Sequence, residues 1–240
     1  MATSLHQQLK SHYTQDVRQH EVSLDDFRID AIDESGRLIE IQCASLGAIR
    51  TKIRRLLKDH DVVVVKPLAS RKQIVRRESP DGDAISCRYS PTRQTLANIF
   101  LDLVHFSRVF PHPRLRLDIL LTQQREIRLP PTEKSSWRRK YSVHDRELIT
   151  VDQHFQFSTP RDIWDALNPE LPDAFTTADL AEAIATPRWL AQKAAYCFRE
   201  MGLLQLHSKD GNSLVYRLAT PAVVAARKRK SSVSKSRRPA

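Results

Sequence analysis

Residues 28–42 read RIDAIDESGRLIEIQ, and the folding of this stretch decides how the rest of the chain is read. Ile29 and Ala31 alternate with Arg28 and Asp30, and Ile39 and Ile41 alternate with Leu38, Glu40 and Gln42, the period of two strands. Glu34, Ser35 and Gly36 form a three-residue turn, with Gly36 taking the positive-φ position. That register sets Asp33 opposite Arg37 and Asp30 opposite Glu40, with Gln42 on the same face. Two carboxylates side by side repel, so either a cation sits between them or the strands pair in another register. Without a cation, each should raise the other's proton affinity, and neutralising either should leave the fold as stable as before or slightly more so.

Working outward, Leu5, Leu9 and Tyr13 mark one stripe of a helix over residues 4–14, and a short strand follows near residues 17–24. After the hairpin, Ser45 caps a helix reaching His60, with Leu46, Ile49, Ile53 and Leu56 on its buried face. DVVVVKP, residues 61–67, reads as a strand from the centre of a sheet. The order is therefore helix, three strands, helix, strand. Residues 68–125 extend the same domain with a Ser/Pro/Asp/Gly-rich loop, a helix from Thr92 to Val109 and the strand RLRLDILL. Residues 125–146, dense in cations around Trp137, read either as a solvated linker or as an arm that touches phosphates.

The C-terminal third begins with a short helix, DIWDALNPEL. Thr176 with Asp179 forms a variant capping box for a second helix, and a break at residues 185–187 leads into RWLAQKAAYCFREMG. In this third helix Leu190, Ala194, Cys197, Phe198 and Met201 make the buried stripe, and Gly202 ends it. A hairpin around Asp210-Gly211-Asn212 follows. Over residues 160–219 this order resembles a winged helix-turn-helix domain. The resemblance implies that Arg188, Gln192, Lys193 and Arg199 on the third helix, with Lys209 and Asn212 at the wing tip, face DNA. A protein partner on the same surface is the alternative.

Residues 4–67, with Asp30 on the second strand and Glu40-x-Gln42 on the third, resemble the core of the PD-(D/E)XK nuclease superfamily, which pairs an Asp with a Glu-x-Lys on adjacent strands. The resemblance implies a restriction-endonuclease-like mixed sheet, DNA as substrate, and Mg²⁺ or Mn²⁺ held by Asp30, Glu40 and the Ile41 carbonyl, with Glu21 as an outer ligand. Gln42 stands where the superfamily has lysine and supplies no positive charge, so Lys52 or Lys66 is the candidate to replace it.

The expected architecture is thus α/β of the α+β kind: a nuclease-like domain over residues 1–145, a winged-helix domain over 146–221 and a basic disordered tail over 222–240. The tail supplies seven cations and no acid, and removing them from the net charge of +11 leaves +4 for the body, so charge alone does not point to nucleic acid. Three scattered cysteines give neither a disulfide framework nor a zinc ligand set and suggest a reducing compartment. The longest apolar run, Val62 to Val65, is far too short to span a membrane, and the N-terminus lacks a signal-peptide core, so a cytoplasmic protein is expected. Two functions compete with the nuclease: a DNA-binding regulator on an inactive nuclease scaffold, and a module that binds protein partners.

Overall fold

The computed structural model describes residues 3–131 and 140–220. The basic tail, Trp137 and the tip of the segment around it lie outside the described residues. The architecture is α+β: a seven-stranded mixed sheet with helices on both faces, followed by a smaller helical unit carrying a three-stranded sheet.

The chain opens with helix α1 (Ser4–Tyr13), which buries Leu5 and Leu9 as their spacing requires. Strands β1 (His20–Leu24), β2 (Phe27–Ile32) and β3 (Leu38–Ile41) form an antiparallel meander. Ala31 pairs with Ile39, the Asp33 amide donates to the Arg37 carbonyl at 3.1 Å, and Gly36 sits at φ 78°. The turn and register are those expected from alternation. Helix α2 (Leu46–Leu56), capped by the Ser45 hydroxyl, crosses to β4 (Val62–Arg77), which runs parallel to β3 with Ile39 beside Val63. Val62 to Val65 are all buried because alternate members face opposite layers. Val62 and Val64 pack with α2, while Val63 and Val65 pack with Leu5 and Leu9 of α1.

Downstream of residue 67 the structure departs from expectation in four places. Strand β4 does not stop there but continues to Arg77, and β5 (Ala84–Tyr89) folds back along it, so the Ser/Pro/Asp/Gly stretch is a hairpin tip rather than a long loop. The long helix expected over residues 92–109 is a 3-10 turn (Leu96–Ile99) and one α-turn, α3 (Phe100–Leu103), followed by further tight turns. Its buried residues Ala97, Phe100, Leu103, Phe106 and Val109 recur every three positions, which suits the tighter winding.

Strands β6 (Leu115–Leu129) and β7 (Ser142–Phe157) complete the sheet, β6 parallel to β4 and β7 antiparallel to β6. Residues 125–146 are therefore not a linker: apart from the undescribed tip they are mostly strand. The expected boundary at residues 145/146 also moves, because β7 keeps residues 146–157 in the large sheet and the second unit starts at Thr159.

That unit contains α4 (Pro160–Leu167), β8 (Phe175–Thr176), α5 (Thr177–Ala183), α6 (Arg188–Glu200), β9 (Leu204–Asp210) and β10 (Ser213–Leu218), with strand order β8-β10-β9. Gly202 at φ 84° closes α6, and the Leu203 amide donates to the Phe198 carbonyl at 2.8 Å. The two units share one apolar core: Phe198 meets Phe100 edge-on at 5.1 Å and Trp164 at 5.2 Å. The Thr176 hydroxyl accepts from the Ala178 and Asp179 amides, while the Asp179 carboxylate accepts from the Thr176 amide at 2.7 Å. Thr176→Ala should lower stability by about 1 kcal/mol. Urea unfolding checks this, and an unshifted midpoint would show that the box is dispensable.

No helix among the described residues is long and apolar enough to cross a membrane, and Cys43, Cys87 and Cys197 are free thiols.

Candidate active site

The pairing of β2 with β3 ends at Ala31 and Ile39, and beyond that point two acidic side chains bridge the strands. Asp30 Oδ2 accepts from the Ile41 amide at 2.8 Å, and the Glu40 carboxylate accepts from the Asp30 amide. Each acid thus bonds the backbone of the opposite strand. The two acids lie across the parting strands from one another, Asp30 against His6 of α1 and Glu40 against Lys52 of α2.

Helix α2 adds the third group. Lys52 donates from Nζ to the Arg28 carbonyl at 2.5 Å and lies 2.5 Å from Glu40 Oε1. The contact with Glu40 is a buried ion pair. Burial pushes the Glu40 carboxyl up to about 7, against the opposing pull of Lys52 and with the help of the Asp30 charge. Asp30 goes the other way. Burial would raise its pKa too, but His6, the Ile41 amide and the Lys52 charge outweigh it and hold the carboxyl below its ordinary value. The mutual, symmetrical rise expected from two bare carboxylates is therefore replaced by a split, because their surroundings differ.

Helix α1 contributes two groups that sequence reading missed. His6 Nε2 lies 3.2 Å from Asp30 Oδ2, and the fully buried Lys10 places Nζ 2.5 Å from Glu21 Oε1. Burial lowers the Lys10 pKa, with the Asp30 charge opposing. Glu21 also meets Arg28, so its carboxylate is tied to two cations instead of standing as an outer metal ligand. Ile41 takes part through its amide. Gln42 folds back, its Oε1 accepting from the Ala44 amide at 2.9 Å. Lys66, the other candidate to replace the missing lysine, is buried and committed to the Ala44 carbonyl and to Asp102 at 3.1 Å. Of the two lysines, Lys52 is the one placed against the carboxylates.

On α6, Arg188 and Gln192 are exposed, Lys193 and Arg199 are half-buried, and Lys209 and Asn212 are exposed at the turn between β9 and β10. Arg199 lies 4.0 Å from Glu200 and 6.0 Å from the Tyr196 ring. Trp189 and Tyr196 are exposed beside Gln192 and Lys193, a pair of aromatics that sequence reading left out. Elsewhere, the wholly buried Asp118 accepts from Arg116 at 2.7 Å and from Tyr13 at 2.9 Å, and lies 2.9 Å from His154 Nε2, which ties α1 to β6 and β7.

Among the described residues no group of three or more His, Cys, Asp or Glu side chains is placed to hold a metal ion. The pair Asp30 and Glu40 remains, and two carboxylates are a donor set that Mg²⁺ accepts when water and phosphate fill its other positions. Glu40 Oε1, buried beside the Lys52 ammonium, is an oxygen that an ion would share with that cation.

The chain belongs to the family described as Domain of unknown function (DUF8091), whose model matches residues 3–158 and so ends one residue past β7. It is also similar to a protein of Treponema pallidum (strain Nichols) described as an uncharacterized protein, 27% identical over 219 residues that cover 91% of this chain and 86% of the relative. That span is longer than the family match, so the similarity continues into the C-terminal unit. No solved structure matches.

Proposed function

We propose that the chain is a metal-dependent DNA nuclease of the PD-(D/E)XK type, in which Asp30 and Glu40 hold Mg²⁺ or Mn²⁺ and the C-terminal unit, read as a winged helix, holds the duplex. The observation that carries this reading is the convergence of Asp30, Glu40 and Lys52 from β2, β3 and α2 where the strands part. The ion, when bound, supplies Lewis acidity for phosphodiester hydrolysis and offsets the carboxylate repulsion. Asp30 stays ionised because its pKa is depressed, and Lys52 brings an ammonium to charge that develops on the phosphate, the part Gln42 cannot play. His6 orients Asp30 from the opposite side of the sheet.

The order helix, strand, helix, helix and hairpin, with β8 beside β10, supports the winged-helix reading. Arg188, Gln192, Lys193, Arg199, Lys209 and Asn212 are then the groups that meet DNA. Arg188→Ala and Lys193→Ala should each weaken duplex binding by about 1 kcal/mol without unfolding the chain. Loss of a protein partner with DNA affinity intact would favour the interaction module, which the exposed Trp189 and Tyr196 recommend. With free thiols and no membrane-spanning helix among the described residues, the role suits the cytoplasm.

The test is incubation of the full chain with supercoiled, linear and single-stranded DNA, with Mg²⁺, with Mn²⁺ and with chelator. Ion-dependent cutting that vanishes in Asp30→Asn and Glu40→Gln is expected. Ion binding without cutting would favour the inactive DNA-binding scaffold, the reading favoured by Gln42 being folded onto the Ala44 amide.

A further inference from the structure

The distal halves of β4 and β6, flanked by β5 and β7, form a four-stranded extension of the sheet with cations concentrated on one face. Arg88, Ile74, Glu126 and Arg146 stand in one row across β5, β4, β6 and β7, and Ser86, Arg76 and Arg128 form the next. Lys72 pairs with Gln124 on the other side of the first row. Residues paired in register project to the same side, so Lys72, Arg76, Arg88, Arg128 and Arg146 share a face with the carboxylate of Glu126.

That carboxylate is buried. Glu126 is 3% exposed, with Arg128 Nη2 at 2.6 Å, Arg146 Nε at 3.1 Å and Lys72 Nζ at 3.4 Å. Burial would raise its pKa, but the three cations outweigh this and hold it below the ordinary range. Arg128 is also held flat against the Tyr141 ring at 3.7 Å. One carboxylate cannot neutralise three cations. It fixes the direction of their side chains and leaves the face positive, so less ordering is needed when an anion arrives.

The face lies on the α1 side of the sheet, whereas Glu40, in register with Val64, meets Lys52 on the α2 side. Leu148, which pairs with Gln124, packs in the same apolar layer as Leu5, Leu9 and Cys43.

We infer that this face is a second DNA contact, a platform that grips the phosphodiester backbone of a duplex. The inference rests on the DNA reading above, but it concerns a surface that the winged helix does not include.

The experiment measures binding of a fluorescein-labelled DNA duplex to the full chain in EDTA over a range of salt, so that cleavage plays no part. The variants are Arg128→Gln with Arg146→Gln, and Arg76→Gln with Arg88→Gln. The second pair is exposed, and its replacement leaves the buried carboxylate and its partners intact. Each double variant should bind about tenfold more weakly at moderate salt, with the slope of log affinity against log salt reduced by nearly 2. Unchanged affinity and slope in Arg76→Gln with Arg88→Gln overturns the platform while the DNA reading stands. Absence of duplex binding by the parent chain overturns both.

Discussion

Replacing Glu40 with glutamine is expected to stabilise the protein by roughly 3 kcal/mol more at pH 8 than at pH 4.5. The carboxyl titrates near 7 in the folded chain, mainly because burial disfavours its charge, against an ordinary value of 4.5. Between those two values the folded state holds a proton that the unfolded state has released. The contribution of Glu40 to stability is therefore complete below about pH 4.5 and is lost as pH rises through 7. Glutamine has no proton to lose, so the difference between variant and parent should grow across that window. Asp30→Asn should behave in the opposite way. The depressed Asp30 pKa marks a carboxylate that the fold favours in its charged form, and its loss should cost about 1–2 kcal/mol at neutral pH. Urea unfolding of the three proteins between pH 4.5 and 8 checks both signs, and parallel curves for parent and Glu40→Gln would show that the buried carboxyl does not titrate as described.

Lys52→Met is expected to reduce DNA cleavage at least about 100-fold while leaving the ion-dependent gain in thermal stability in place. Lys52 is placed to act on the substrate's developing charge, whereas the oxygens offered to an ion belong to Asp30 and Glu40. Removing the ammonium also removes the strongest force opposing protonation of Glu40, so the pH profile of any residual activity should move to higher pH. Lys52→Arg keeps the charge but presents a planar fork and should restore activity only in part. A Lys52→Met protein that cuts at the parent rate would confine Lys52 to a structural pairing with Glu40.

The parts of the fold that could be read from sequence are those governed by local rules. Alternation and Gly36 set the hairpin register, and with it the placing of Asp30 and Glu40 across from one another. Thr176 with Asp179 and Gly202 punctuate α5 and α6 as their cap chemistry predicts. What escaped was long-range. The distal strands RKQIVRR and QREIR carry only Ile74, Val75 and Ile127 as buried apolar residues, and with so few the polar majority looks like loop. Their strand character comes from pairing with each other across a hairpin and a crossover, which no local window contains. His6 and Lys10 escaped for the same reason. They lie four apart on α1, each beside a leucine of its buried stripe, which hinted that they were covered, but their partners are on β2 and β1. Lys52 was legible because it borders the apolar face of α2, which had to lie on the sheet carrying Glu40.

The central claim, that Asp30 and Glu40 jointly hold a divalent ion, is tested most directly by thermal melting of the full chain against increasing Mn²⁺ or Mg²⁺, beside Asp30→Asn and Glu40→Gln. An ion that binds only the folded state raises the melting temperature in proportion to the free energy of binding. The account predicts a rise for the parent chain that saturates with ion and is absent from both variants. No shift in the parent, or the same shift in all three proteins, would contradict it.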